Sequence, residues 1–435
     1  MNNEFITFSR PLKSFFDKIS IREFARKTKF MQRIRLLQPE CFLSTLIQTL
    51  SFKDHANLAD ILRIMDSEQE TSQYKPFHNQ IKKAECTTFI QSMVEEATKA
   101  LFLAPFKQAL PKETPFKNIF LHDGSSLTLN PRLKEEFPGR FTKTAPAAIE
   151  CHLTMDLVKG VAHYIALDAD KESEKNYRPS EKGLKETLVM MDAGYFDIGY
   201  LEKISQSGGF FVVRAKANIN PLVVAKYNEM GTELFHNEMK LKELKSKDHD
   251  FVDMDVQWIK TNTPFRVIQF YDRKRKGKGY LITNLNRGQF TGEKVLSLYG
   301  LRWQIELFFK ELKSFCSLKK VNTVNPNIVK TLIWASLLTL IIKRYVALSV
   351  GILWQTIIST QKTCRSSICW LPKLMNYLKS DEQDISLLDE IFSFISKNCR
   401  RSNTKRDRET EMFTSDLIPY CQIKYLESYL HKKRA

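Results

Sequence analysis

The sequence predicts an α/β protein in which a mixed-sheet core carries a β-rich insertion and is flanked by helical N- and C-terminal regions. Three observations carry this expectation. From residue 118 onward, short apolar runs alternate with turn signals and a helical stretch. Before about residue 110 the apolar spacing is helical and no glycine occurs. Beyond about residue 290 helical spacing returns.

The N-terminal region, residues 1–110, reads as a small helical domain. Pro39 can open a helix, and the following CFLSTLIQTL places apolar residues on one face. LADILRIMD and FIQSMVEEATKALFLA continue the pattern, and Ser67 to Ile81 resembles a turn followed by a second helix. Simple packing and DNA binding would both produce such a pattern.

The core begins at Asn118. NIFLHDG reads as a short strand ending in Asp123-Gly124, and SLTLN as a second strand. A third runs through HLTMDLVKGVAHYIALDA with Lys159-Gly160 as a hairpin turn. LVMMDAGY is an apolar strand ending at Asp192, YLEKISQSG a helix closed by Gly208-Gly209, and FFVVRAKAN a further strand. The expected order is β-β-β-α-β-α-β. Residues 217 to 290 then interrupt it with the strand-like runs FVDMDVQWI, PFRVIQFYDR and GYLITNL and a basic patch, Arg273-Lys274-Arg275-Lys276. A long helix is expected from near Thr291 to near Leu318, and residues 346–435 read as helical, with a basic run from Lys397 to Arg408.

Composition narrows the function classes. The 435 residues allow two or three domains, and 43% apolar content argues against global disorder. A formal net charge of +18 calls for an acidic partner, either nucleic acid or an anionic membrane. The strongest apolar stretch, Thr331 to Ile342, is shorter than the roughly 20 residues a bilayer span needs and reads as a buried helix, so no membrane role is expected. The eight cysteines show no CxxC pair and no zinc spacing with histidine, which suggests a reducing compartment. MNNEFITFSRPLK has no apolar run after a basic start, so no signal peptide is visible.

Carboxylates at the ends of neighbouring strands converge, and hard divalent ions such as magnesium prefer oxygen ligands. Asp123 and Asp192 are such a pair, although Asp-Gly at a strand end is more often a turn. The segment LYGLRWQIELFFKELKS adds Tyr299, Arg302, Glu306 and Lys313. On one continuous helix these four fall within an arc of roughly 60°. Leu298, Leu301, Ile305, Phe308, Leu312 and Phe315 take the opposite side. An amphipathic helix with a solvated polar face would show the same spacing.

The spacing Tyr299-x2-Arg302-x3-Glu306-x6-Lys313 resembles the Tyr-Arg-Glu-Lys signature of the insertion-sequence-four family of DDE transposases. HDGSSL and MDAGYFD supply the two upstream aspartates in the family's order, and VVRAKAN and LKEEFPG are also family-like. The resemblance covers roughly residues 115–345 and implies an RNase H-like catalytic core there. The intervals of 69 residues from Asp123 to Asp192 and 114 from Asp192 to Glu306 leave room for the insertion. By this resemblance Asp123, Asp192 and Glu306 are catalytic and hold magnesium or manganese, as two ions, while Tyr299, Arg302 and Lys313 bind DNA phosphate. It further implies cutting at terminal inverted repeats, strand transfer into target DNA and a homodimer in the DNA complex, while the turn-helix candidate at Ser67 to Ile81 makes the N-terminal helical region the expected reader of the element ends. The place of action would be the bacterial cytoplasm, at the nucleoid. Ala193 departs from the family, where arginine commonly follows the second aspartate. Trp258 and Trp303 are candidates for stacking on a flipped base. A non-catalytic DNA-binding relative and an RNase H-like nuclease are the rival readings.

Overall fold

The structure is a computed structural model describing residues 2–33, 37–52, 57–67, 73–101, 115–158, 161–228, 231–235, 238–246, 251–259, 261, 264–272, 276–318, 321, 323–354, 356, 358–380 and 384–401. The Lys159-Gly160 turn, three residues of the 273–276 patch, residues 68–72 of the turn-helix candidate and the basic run beyond residue 401 lie outside the described residues.

Six helices come first: α1 (Asn2–Phe15), α2 (Lys18–Lys27), α3 (Pro39–Phe52), α4 (Leu58–Asp66), α5 (Tyr74–Ile81) and α6 (Ala84–Ala100). Their ends follow ordinary capping chemistry. Asp17 accepts from Ser20 N at 2.9 Å, and Asn57 and Asp60 form a reciprocal capping box on α4. The core follows with β1 (Asn118–Thr128), β2 (Pro138–Phe141), β3 (Ala145–Asp156), β4 (Val161–Ala169), β5 (Thr187–Met191), α7 (Ile198–Gln206) and β6 (Phe210–Arg214). Then come β7 (Leu222–Tyr227), β8 (Glu233–Phe235), β9 (Met239–Lys240), β10 (Val252–Gln257), β11 (Phe265–Asp272) and β12 (Gly277–Thr283). The chain ends its described part with α8 (Gly292–Gly300), α9 (Trp303–Phe315), α10 (Pro326–Leu353), α11 (Thr360–Arg365), α12 (Ser367–Lys379) and α13 (Ile385–Asn398).

The strands form one mixed sheet in the order β2-β3-β1-β5-β6-β12-β11-β10-β7-β8, with β4 also on β3 and β9 on β7. β1, β3 and β4 are antiparallel neighbours, and β5 and β6 run parallel to β1. Side chains alternate cleanly between two cores. Leu188 and Met190 of β5 face the helical body, while Val189 and Met191 face the side covered by Leu201 and Ile204 of α7. Both faces are therefore covered, which is why all five residues of β5 are buried.

Two expectations change. NIFLHDG and SLTLN are not two strands but one eleven-residue strand, β1. Asp123 thus lies mid-strand, because pairing with β3 continues through Asp123↔Leu153 and Gly124↔His152 and overrides the local turn signal. No helix separates β4 from β5; only short 3-10 turns at Glu174–Tyr177 and Glu181–Gly183 do. The strands expected as a β-rich insertion, β7 to β12, extend the same sheet, since β12 pairs antiparallel with β6 and carries β11, β10 and β7 outward.

The expected buried helix at 331–342 is part of α10, which runs to 28 residues. By length and composition it could cross a membrane, contrary to the shorter estimate, but 89% of its apolar window is buried inside the fold. Helices from both ends of the chain surround it: α3 and α6 from the N-terminal region, α9, α11 and α13 from the C-terminal half. Its buried Lys343 donates to Phe315 O at 2.9 Å, and Ser336 donates to Cys316 O at 2.7 Å, so α10 satisfies the terminal carbonyls of α9. Arg344 pairs with Glu311 at 2.6 Å, adding a second tie. The helix bearing Glu306 is thereby locked to the molecule's core.

Candidate active site

Asp123 and Asp192 meet because β1 outlasts β5. The parallel register pairs His122 with Met191, the last residue of β5, so the next residues, Asp123 and Asp192, lie side by side at the end of the shorter strand. Each carboxylate is held by a glycine: Gly124 N donates to Asp123 Oδ1 at 3.0 Å, and Gly194 N donates to Asp192 Oδ1 at 2.8 Å.

Glu306 enters from the first turn of α9, which packs on β1. Arg302 spans the gap: Nη1 donates to Asp123 Oδ2 at 3.0 Å and Nη2 to Glu306 Oε1. One turn beyond the middle of α9, Lys313 Nζ donates to Ser126 O at 2.8 Å, on the same strand as Asp123. Burial pushes the Lys313 amine down from its ordinary value.

The single long helix expected here is two. α8 ends at Gly300, and four i to i−3 bonds, Leu301 N to Leu298 O, Arg302 N to Tyr299 O, Gln304 N to Leu301 O and Ile305 N to Arg302 O, tighten the chain where α9 begins. The common arc of the four signature residues is therefore not a property of one helix. Tyr299 still joins the group, from the end of α8: its ring lies 5.7 Å from the Arg302 guanidinium carbon. Burial pushes its phenol up to about 12, with Arg302 pulling down and Asp192 adding to the rise. The apolar side behaves as expected, with Leu298, Leu301, Ile305, Phe308 and Leu312 buried; Phe315 is half-buried.

The Asp123 carboxyl is pushed up to about 7, first by burial. Arg302 and the Gly124 N–H pull it down, while Asp192 and Glu306 raise it. Three acids thus share one field, and one guanidinium does not balance them. Their donors are all carboxylate oxygens, the set that suits a hard divalent cation. Among the described residues no three ligand-type side chains close around one point, since the Arg302 guanidinium lies between Asp123 and Glu306. The residues fit a cation that takes one or two carboxylates and keeps its waters.

Sequence reasoning missed Arg214. It ends β6, whose Val213 pairs with Met191, so it lies beside the Asp192 end of the sheet and its charge reaches Tyr299. It pairs with Asp272. A basic residue ending the strand after the second aspartate was the available signal. Also unforeseen is a buried polar layer behind β1, on the face away from α9: His122, Thr154, His152 and Glu150. Burial pulls His122 down to about 3 and pushes Glu150 up to about 7. Of the two tryptophans, Trp258 packs against Phe196 and Phe265, whereas Trp303 stands 55% exposed beside Arg302. Ala193 follows Asp192 half-buried and carries no charge to the site.

Known proteins place these observations. The sequence model of the family described as transposase DDE domain matches residues 114–342, more than half of the chain. The transposase for insertion sequence element IS1151 of Clostridium perfringens is 23% identical, covering 98% of this chain and 99% of its own length. The transposase for insertion sequence element IS231F of Bacillus thuringiensis subsp. israelensis is 22% identical, covering 52% of this chain and 55% of its own. Among solved structures, the piggyBac transposase in its synaptic complex with hairpin DNA aligns over 94% of this chain and 89% of its own, at 14% identity and a TM-score of 0.44.

Proposed function

We propose, for a chain that belongs to the transposase DDE-domain family, that Asp123, Asp192 and Glu306 are the acids that cut the element ends and join them to target DNA. Family membership makes the protein a transposase, an enzyme that cleaves and transfers DNA in transposition, and DNA is its partner. The observation that carries the residue assignment is that Arg302 joins Asp123 of β1 to Glu306 of α9, while the parallel register sets Asp192, just past the end of β5, beside Asp123.

The strand order β4-β3-β1-β5-β6, three antiparallel strands followed by two parallel to the first, supports an RNase H-like core. The spacing of Tyr299, Arg302, Glu306 and Lys313 supports membership of the insertion-sequence-four group. DDE transposases generally work with divalent metal ions. Magnesium or manganese, as two ions held by Asp123, Asp192 and Glu306, would activate the attacking hydroxyl and stabilise the leaving oxygen. The chain's own residues do the rest. Arg302 holds Asp123 and Glu306 together, and its planar fork is the group suited to grip a phosphate beside them. Lys313, tethered to the Ser126 carbonyl, offers a point charge along the same groove. Tyr299 supplies a hydroxyl at its wall, and Trp303 an exposed ring on which a base can stack. Two element ends require two such sites, hence a homodimer on DNA. A basic chain of this kind works at the nucleoid, in the cytoplasm.

Asp123 holds a proton below about pH 7 in the metal-free protein, and a cation has to displace it. Manganese affinity, measured by calorimetry, is therefore expected to weaken by about tenfold for each pH unit below 7 and to level off above. The sign follows from the raised value: the protonated form competes with metal on the acid side. Flat affinity from pH 5 to 7 would remove Asp123 from the metal site.

End recognition is assigned to the α4–α5 pair, where Lys75 and Asn79 are exposed on α5. Deleting residues 1–110 cannot test this, because it would strip α3 and α6 from α10. Paired Lys75→Ala and Asn79→Ala changes in the full chain should cut the preference for element ends over scrambled DNA by about tenfold in gel shifts. Unchanged preference would place end reading elsewhere.

Mapping the products made from element-end DNA with magnesium tests the function as a whole. A freed 3′ hydroxyl joined to target DNA is the expected result. Cutting without joining indicates the nuclease reading, and binding without cutting the non-catalytic one.

A further inference from the structure

Behind the two aspartates lies an arrangement that the reaction described above does not use. Arg140, on β2, donates from Nη2 to Glu150 Oε2 at 2.9 Å and from Nη1 to Glu174 Oε1 at 2.8 Å. It also donates from its backbone N to Asp170 Oδ2 at 2.9 Å. One guanidinium thus joins β2, β3 and the 3-10 turn after β4.

The two glutamates go to equivalent places. Glu150 Oε1 lies 2.4 Å from where a Cβ on Gly124 would stand, and Glu174 Oε2 2.5 Å from where a Cβ on Gly194 would stand. Gly124 and Gly194 are the two residues whose N–H groups hold the Oδ1 atoms of Asp123 and Asp192. Each aspartate is therefore held by a glycine, each glycine is backed by a glutamate, and both glutamates are tied to Arg140. A Cβ at either position would push its glutamate carboxylate aside. Between the two halves sits Tyr195, 1% exposed, with its hydroxyl 3.0 Å from the same Gly124 position and no hydrogen-bond partner. A buried hydroxyl left unpaired costs about 1–3 kcal/mol, so its retention in the midst of Asp123, Asp192, Glu150 and Glu174 points to a partner supplied when the site is loaded.

We propose that Arg140, Glu150 and Glu174 form a brace that sets the spacing of Asp123 and Asp192, with Tyr195 as the donor that completes it. These are positioning residues, acting through the backbone of the two glycines, and the proposal rests on the assignment of Asp123 and Asp192 as the cutting acids. Groups behind a metal ligand typically change affinity or activity by about 10–100-fold when altered.

Glu174 is the member to change, since its side chain is partly exposed and its loss leaves Glu150 still paired to Arg140. Glu174→Ala is expected to slow nicking of end DNA at saturating DNA by about tenfold and to raise the manganese concentration for half activity severalfold. Metal-free end binding and the melting temperature should stay near wild type. A merely structural residue would move the melting temperature and not the metal midpoint. Glu174→Gln keeps the volume and loses the ion pair, so a smaller loss of the same kind is expected; if the alanine variant melts early, the glutamine variant decides. Wild-type rate and metal midpoint in the deciding variant overturn the brace. Asp192→Asn, run beside them, separates the two ideas: activity surviving there sinks the catalytic assignment itself, whereas activity lost there and unchanged in the deciding Glu174 variant sinks the brace alone.

Discussion

Glu306→Gln, Asp123→Asn and Asp192→Asn are each expected to lower end nicking and strand transfer by about a thousandfold or more, the several kcal/mol that metal-assisted charge stabilisation supplies. The amides keep shape and remove charge, so the change falls on the metal and not on the sheet. Asp123→Asn should also leave the fold intact, because its Oδ1 contact with Gly124 N can be kept by the amide oxygen. End binding in metal-free buffer should survive or tighten, since neighbouring acids repel phosphate. The decisive comparison is nicking of end DNA with magnesium beside a gel shift without it. Wild-type nicking in Glu306→Gln would remove α9 from the catalytic assignment.

Arg302→Ala is the second large effect. Arg302 makes charge-assisted bonds to both Asp123 and Glu306, and its side chain is only 16% exposed. Its loss removes the one cation between the acids and the planar donor proposed for phosphate, at about 1.5–3 kcal/mol per bond to a charged group. Strand transfer from a pre-cleaved end is expected to fall by about a hundredfold. Arg302→Lys should fall less, because it keeps the charge and loses the fork. Lys313→Ala should slow transfer too, more modestly, since its amine makes one tether to the Ser126 carbonyl. Because Arg302 is paired and largely buried, Arg302→Ala is also expected to melt lower in metal-free buffer and to recover part of that loss when manganese is added. Normal transfer in both alanine variants would leave this face as polar packing between α9 and β1.

What the sequence determined by itself was the set of candidate side chains and their order. Apolar runs ending in Asp123 and Asp192, and the spaced Tyr299, Arg302, Glu306 and Lys313, are local patterns, and local patterns survive in a linear reading. The helical ends and the strand-rich middle were legible for the same reason. Several matters rested on contacts between distant segments. The pairing of β1 with β3 carried the strand through Asp123-Gly124, where the dipeptide alone suggests a turn. The 3-10 tightening at Gly300–Arg302 divided the expected helix and put Tyr299 on α8, because that corner has to bring both helices against the same sheet. β12 joined β6, so the strands read as an insertion extend the core sheet. Helices from both chain ends closed around α10, since an apolar helix of that length needs cover on every side. The cluster of Arg140, Glu150, Glu174 and Tyr195 had no signature either, because those residues lie up to 55 positions apart and meet only beside two glycines. Side-chain type and short-range spacing can be read along the chain; which backbone outlasts its neighbour, and what lies behind a carboxylate, is decided by packing across it.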